Sequence, residues 1–561
     1  MQIPYAIGQR GAVAAAHPLA VEAGLSCLRA GGNAMDAAIA TAFALTVVDP
    51  GNASLGGRGS LIAYLPDDAR LLCLDFNTVC PGAAGPDTFE VVPTREGEWW
   101  SVRGFANTIG HRAVSVPTTA AGLCAAARYA RLPLARLVAP AVEIARSGFP
   151  VTVPLEMQLA SSRERILPNA ASRAIYAPAG RTLRRGETLA NPDLSRTLRQ
   201  LGEAGRDLMY APDGEVSRAL TRDMAANGGL IDEGDLSTYR PAEREPAVIS
   251  YRGHDLAVTP VNNGGPTVLA ALRILEGLNL GADDPHSPEV VHAVIEALKL
   301  AWADRFAYVA DPAFARVPLA GLLSEEYAAT RRAMIDPHRA NPAPAAGDPW
   351  SFDAYERTRS AASEPRHPDV GGDTTYCCAA DSFGGFVSLT HTLGSSFGSG
   401  VTVPGTGVLL NNGMYWFDPV PGRVNSAEPG KMPLNNQAET LVLEGGRPWL
   451  AIGLPGGRRI LTTLTRALGL ILDHGLSPAA ALAAPRLHVE DREPVTFESA
   501  WKTEVPGGVD LLLDLEALGH GLEPLPLLER FISGPAHAVW SEEGQLHAAG
   551  DPRQPGAAGS L

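Results

Sequence analysis

The stretch Gly371-Gly-Asp-Thr-Thr-Tyr-Cys-Cys-Ala-Ala-Asp-Ser-Phe-Gly-Gly-Phe-Val-Ser-Leu-Thr-His-Thr-Leu393 decides how this 561-residue chain is read. Two strand-like runs, Thr374–Asp381 and Phe386–Leu393, flank the short polar loop Ser382–Gly385, the pattern of a β-hairpin. Pairing across a four-residue loop sets Asp381 opposite Phe386 and Thr375 opposite Thr392, with Thr374 diagonal to Thr392. Alternation along the strands sends Thr392 and His391 to opposite faces, which leaves His391 without a catalytic role, and separates Cys377 from Cys378.

Just upstream, from Pro337 to Asp373, six prolines and many charges replace apolar periodicity, the composition of a solvated, mobile segment. A threonine opening a strand after such a segment has a chemical reading. At a chain start its free α-amine, with a pKa of about 7.7–8.0, can take the proton from its own hydroxyl. Internal Thr374 gains that amine only if the Asp373–Thr374 bond is cut. On these residues alone the plainer reading stays open, because threonine favours strands.

Working outward, Pro18–Arg29 has helical apolar spacing and Gly31-Gly32 stops it. Asn33 caps a second helix, Ala34–Val48, ended by Asp49-Pro50. A glycine-rich connection, Gly51–Gly59, leads into a second hairpin of Leu61–Leu65 and Leu71–Phe76 around Pro66-Asp67-Asp68. Gly56-Gly-Arg-Gly59 lacks the Gly-Lys-Ser/Thr ending of a phosphate loop and precedes a strand. Helix-rich sequence runs from Thr118 to about Ala310. Its clearest member has Ser287 as cap and Pro288 in its first turn, with Val291, Val294, Ile295, Leu298 and Trp302 on one face.

Composition bounds the class. Hydrophobic residues are 45% and charged residues 19%, as in a globular protein, and the length alone allows three or four domains of about 150 residues. With 46 Lys and Arg against 61 Asp and Glu, the net charge of −15 is not that of a nucleic-acid binder. The six cysteines form no CxxC pair and lie in no metal-ligand spacing, so no metal site and no cofactor are expected. No run approaches a membrane span and no basic, apolar leader opens the chain, so a cytoplasmic protein with no membrane partner is expected.

Several long motifs, in order, resemble the γ-glutamyltransferase family. They are Gly31–Pro50 (GGNAMDAAIATAFALTVVDP), Tyr251–Pro260 (YRGHDLAVTP), Ile295–Pro312 (IEALKLAWADRFAYVADP), Gly371–Tyr376 (GGDTTY), Phe397–Asn412 (FGSGVTVPGTGVLLNN) and Pro455–Ile460 (PGGRRI). The resemblance implies an α+β fold, the four-layer αββα sandwich of N-terminal nucleophile hydrolases, as one structural unit rather than several domains. It implies self-cleavage between Asp373 and Thr374 into a large chain, 1–373, and a small chain, 374–561, that stay associated as a heterodimer. Thr374 is then the nucleophile and its α-amine the base. Thr392 matches a threonine that orients the nucleophile, and Gly456-Gly457 matches the pair whose N–H groups form an oxyanion hole.

The substrate-reading positions depart from that family. Asn77, in Asp75-Phe76-Asn77-Thr78, stands for an arginine that binds the γ-glutamyl α-carboxylate. Trp416 stands for the acid that holds the α-ammonium, Gly413 for a nearby glutamine, and Asn435-Asn436 for a serine pair. Two charge-assisted contacts of roughly 1.5–3 kcal/mol each are thereby absent. Two arginines are gained: Arg58, where glycine is usual, and Arg458, where serine is typical. Either would hold a substrate carboxylate, and Arg458, adjoining the oxyanion glycines, would suit a short oxo-acid.

The expectation is therefore a cofactor-free threonine hydrolase or acyltransferase acting on a small acyl compound other than a γ-glutamyl peptide. An oxalyl or 2-oxo-acid group, cleaved at a C–C or amide bond, is one such substrate. This resembles the branches that handle oxamate, cephalosporins or oxalyl units in antibiotic biosynthesis. A genuine γ-glutamyl hydrolase or transpeptidase and a silent scaffold are the alternatives.

Overall fold

The computed structural model describes residues 3–92, 101–353, 373–525, 534–554 and 556–561, and in it the deciding stretch forms two neighbouring strands at the centre of a seven-stranded sheet. Numbered along the chain, the strands of the two large sheets are β1 Tyr5–Gly8, β2 Gly11–Ala15, β3 Arg58–Leu65, β4 Arg70–Phe76, β5 Ala242–Arg244, β6 Ala247–Tyr251 and β7 His254–Val258. They continue as β8 Asp373–Asp381, β9 Phe386–Gly394, β10 Thr440–Glu444, β11 Arg447–Gly453, β12 His537–Glu542, β13 Gln545–Gly550 and β14 Ala557–Ser560. One sheet is ordered β14-β2-β8-β9-β3-β4-β5 and the other β1-β13-β12-β11-β10-β7-β6, antiparallel throughout.

Alternation assigns the two faces. Tyr376, Cys378, Ala380, Phe386 and Ile62 meet Ala257, Leu441, Ala451 and Val539 of the second sheet. Cys377, Ala379, Val387, Leu389 and Leu61 turn the other way, onto helices α1 (Pro18–Arg29) and α2 (Ala34–Val48). Helices α3 (Gly265–Glu276), α4 (Pro288–Tyr308) and α5 (Arg459–Leu472) cover the far face of the second sheet. The layers are helix, sheet, sheet, helix, in an α+β chain. The six cysteines are all free, and no helix among the described residues is long and apolar enough to cross a membrane.

Local chemistry sets the helix ends. Asn33 and Asp36 close a reciprocal capping box on α2, which is buried on every side and built of alanine and other small or apolar residues. Ser287 accepts from the Val290 N–H at the start of α4.

Two expectations are corrected. The β8–β9 register is displaced by one: Ala380 faces Phe386 and Thr375 faces His391. Asp381 does not pair with Phe386 because its carboxylate accepts from the N–H groups of Ala34, Phe383 and Gly385, which makes it part of the turn. A bulge between Asp373 and Thr375 restores the offset, so Asp373 faces Gly394. The solvated run does not extend over 337–353, where Lys299 donates to the Asn341 carbonyl, Gly347 donates to Asp304 and Trp350 is buried. The remainder of that run, 354–372, lies outside the described residues.

The sheet interleaves the chain on either side of Thr374. Strands β8 and β9 lie between β2 and β3, which come from its early part. Lys299 of α4 adds a buried ionic contact across the same division, 2.7 Å from Glu296 and 2.6 Å from Glu493.

Candidate active site

Register builds the site. On the inter-sheet face at one end of the first sheet, Thr374 of β8, Thr392 of β9 and Arg58 of β3 follow one another across the strands. Arg58 is paired directly with Thr392, and directly paired residues share a face. Gly59 pairs with Phe76, so Asn77, just past β4, continues the row, and Arg58 Nη1 donates to Asn77 Oδ1 at 3.2 Å.

The Thr374 hydroxyl, 8% exposed as a residue, donates to Thr392 Oγ1 at 3.1 Å. Thr392 accepts a second hydrogen bond from the Gly394 N–H at 2.8 Å and donates to the carbonyl of Asp373 at 2.7 Å. That carbonyl belongs to the bond preceding Thr374. One hydroxyl therefore orients Thr374 and polarises the carbonyl beside it. His391 sits on the opposite face, fully buried, and burial lowers its imidazole to about 3.

Burial raises the Asp373 carboxyl to about 6, opposed by the charge of Arg165 and by hydrogen bonds from Ser396. Asp49, at the end of α2, is raised to about 7, mainly by burial and further by the charge of Asp373, while Asn52 donates to it at 2.8 Å. Sequence reading treated Asp49 as a helix stop and missed Arg165 and Asn52, whose proximity comes from tertiary packing.

Strand β11 runs out toward the same end, its last residue Gly453 packed so closely on Tyr376 that a Cβ there would lie 2.4 Å from the ring. Gly456 and Gly457 follow at φ +133° and +60°, immediately before α5. Both conformations favour glycine, and the N–H groups of such a turn at a helix start suit an oxyanion.

The proposed reader residues fall into two groups. Arg58, Asn77 and Trp416 come together: the Arg58 guanidinium lies 5.4 Å from the Trp416 ring centroid. Arg58 is 1% exposed, burial lowers its pKa to about 9, and no carboxylate among the described residues pairs with it. Its Nε and the Asn77 Nδ2 have no hydrogen-bond partner.

Arg458 is buried and has an acidic partner. Its Nη1 donates to Glu490 at 2.8 Å and its guanidinium lies 5.1 Å from the Phe306 ring centroid. Asn435 donates to Gln437 Oε1 at 2.8 Å, and Asn436 Oδ1 accepts from Arg305 at 3.0 Å, so one end of each amide is committed to the framework. Gln437 Oε1 also accepts from Ser60, which bonds Glu439. Burial raises that carboxyl to about 7.

Among the described residues, His292, Glu296 and His520 are close enough for a metal ion. Hydrogen bonds and the Lys299 ammonium already occupy them: His292 Nδ1 meets His520 Nε2 at 2.8 Å, and Lys299 pairs with Glu296.

Comparison with known proteins places these features in context. The gamma-glutamyltranspeptidase family model matches residues 20–561. The chain is 38% identical over 487 residues to the Acylase ACY 1 proenzyme of Pseudomonas sp. (strain SE83), covering 86% of this chain and 83% of the relative. It is 33% identical over 528 residues to the Glutathione hydrolase proenzyme of Bacillus subtilis (strain 168), covering 93% and 86%. The crystal structure of cephalosporin acylase from Bacillus halodurans superposes with a TM-score of 0.86 at 29% identity, covering 100% of this chain and 97% of that one.

Proposed function

The chain belongs to the gamma-glutamyltranspeptidase family of hydrolases and acyltransferases, and on that premise we propose that it is made as a precursor, cuts itself between Asp373 and Thr374, and then uses Thr374 to hydrolyse or transfer a small acyl group that is not γ-glutamyl. The observation that carries this reading is the Thr374–Thr392–Asp373 arrangement, with hydroxyls 3.1 Å apart and the second of them bonded to the adjoining carbonyl at 2.7 Å.

In maturation, Thr374 Oγ1 attacks the Asp373 carbonyl carbon. The C–N bond to Thr374 breaks and the hydroxyl proton passes to the released amine. One water hydrolyses the resulting ester, leaving an Asp373 carboxylate and a Thr374 with a free α-amine. In turnover, that amine takes the Oγ1 proton, Oγ1 attacks the substrate carbonyl, and the leaving amine carries the proton away. Water or an acceptor amine then releases the acyl group. The N–H groups of Gly456 and Gly457 stabilise both tetrahedral oxyanions. The large and small chains remain one unit because β8 and β9 are hydrogen-bonded between β2 and β3.

The oxalyl form of this reading set the acid group against Arg458, which engages Glu490. Arg58 is the cation that supports a carboxylated acyl substrate. A γ-glutamyl substrate is the alternative, supported by the glutathione hydrolase relatives. Release of 4-nitroaniline from oxalyl, succinyl, glutaryl and γ-glutamyl anilides by the mature protein and by Thr374→Ala tests it. Turnover of a non-γ-glutamyl anilide, lost in Thr374→Ala, is expected. Preference for the γ-glutamyl anilide establishes the alternative, and turnover surviving in Thr374→Ala removes the nucleophile assignment.

A further inference from the structure

We propose that His292 and Glu296 of α4, together with His520, which follows the helix Gly508–Ala517, form a structural zinc site. The site is remote from the acyl-transfer chemistry and does not depend on it.

Hydrogen-bond accounting is the first argument. Three contacts run in a row: His520 Nδ1 to Glu493 Oε1 at 2.9 Å, His520 Nε2 to His292 Nδ1 at 2.8 Å, and His292 Nε2 to the Asp336 carbonyl at 2.9 Å. A carbonyl only accepts, and the Lys299 ammonium, 2.6 Å from the same Glu493 oxygen, keeps that carboxylate an acceptor as well. Each imidazole therefore spends an N–H outward. A neutral pair has no third N–H, so two nitrogen lone pairs face each other across the middle contact. A cation held by both nitrogens removes that repulsion. An imidazole that gives one N–H to a carboxylate or a carbonyl and turns its other nitrogen inward is arranged as a metal ligand.

The third ligand and the local charge agree. His292 and Glu296 are four residues apart on α4, about one helical turn, and so share a face. One ligand atom from each of His292, Glu296 and His520 lies within 4.8 Å of the others, and none of the three residues is more than 3% exposed. The carboxylates of Glu296 and Glu493 share the single Lys299 ammonium, at 2.7 and 2.6 Å. That buried excess of negative charge favours a further cation. When Glu296 turns to the ion, Lys299 keeps Glu493 and the Asn341 carbonyl, the latter at 2.5 Å.

Donor chemistry selects the ion. Two imidazoles and a carboxylate suit zinc, whereas calcium and magnesium take oxygen ligands. Zinc bonds of about 2.0–2.1 Å set tetrahedral ligand atoms about 3.3–3.4 Å apart, so the two imidazoles need to separate by only about half an ångström. A water completes the four ligands. His292 and Glu296 precede residue 374 and His520 follows it, so the ion would fasten the two parts of the chain together, as Lys299 does. Spacing alone does not reveal the site, because His520 lies 228 residues beyond His292.

The test is metal analysis of the mature protein, purified from zinc-supplemented cells without a metal column, followed by chelation and titration with zinc and with cobalt(II). One zinc per molecule is expected, and cobalt should give the intense visible bands of a tetrahedral site. His292→Gln and His520→Gln should each weaken zinc binding by about a hundredfold or more, while His338→Gln, at an exposed histidine nearby, should not. The cobalt spectrum of the wild type needs no variant, and circular dichroism reports whether each variant has folded. Zinc bound equally by wild type and His520→Gln, or cobalt without tetrahedral bands, would overturn the site. So would a wild type that takes up no zinc from cells or in titration, which would leave a shared proton as the cation between the imidazoles.

Discussion

The Thr392 hydroxyl donates to the carbonyl of Asp373 at 2.7 Å, across the bulge that brings the two strands back into step. An electrophilic carbonyl and the hydroxyl expected to attack it are thus held by the same neighbour. Thr392→Ala removes that donor and is expected to slow self-cleavage by about 10²–10³-fold, the cost of losing one preorganised donor. Thr392→Ser keeps it and should mature within a few-fold of wild type. A denaturing-gel time course after expression reads both, and equal rates for alanine and serine would show that the contact has no part in maturation.

Gly456 sits at φ +133°, a conformation that a side chain resists. Gly456→Ala should shift that peptide and misdirect its N–H. Turnover of the best anilide should then fall in kcat by about 10²-fold or more, with little change in KM. A variant altered in KM alone would place the glycine in substrate binding instead.

Burial holds the Asp373 carboxyl at about 6, above its ordinary 3.8. The folded precursor therefore binds this proton more tightly than the unfolded chain does. The stability it contributes is present at low pH and is lost as pH rises through about 6. In an uncut Thr374→Ala background, Asp373→Asn should match its parent near pH 4 and exceed it by about 1–3 kcal/mol at pH 8. Thermal unfolding across that range reads the gap, and a gap that does not grow with pH contradicts the assignment.

Lys299 is fully buried between Glu296 and Glu493, on opposite sides of residue 374 in the sequence. Lys299→Met takes the shared ammonium from Glu296 and Glu493, of which Glu493 keeps His520 Nδ1 at 2.9 Å, and should cost about 3–5 kcal/mol. Guanidinium denaturation of the mature protein should show this as a lower midpoint. Replacing all three residues by apolar ones should recover much of the loss.

Much of the architecture was legible because it rests on short-range rules. The α2 capping box, the Ser287 cap, the two hairpins and the opposite faces of Cys377 and Cys378 all follow from neighbours in sequence. The β8–β9 register was not, because Asp381 is drawn into the turn partly by the Ala34 N–H, 347 residues away. The pairing of Arg458 with Glu490, 32 residues further on, was not legible for a similar reason. Arg58 was recognised as an unusual cation. Its destination required knowing that β3 lies between β9 and β4, which no local pattern states.

The intact mass of the purified protein under denaturing conditions tests the central claim most directly. The account predicts two chains from the wild type, with the masses of residues 1–373 and 374–561, and one chain of 561 residues from Thr374→Ala. A wild-type protein that turns over substrate as one uncut chain, or is cut at any other bond, would contradict it.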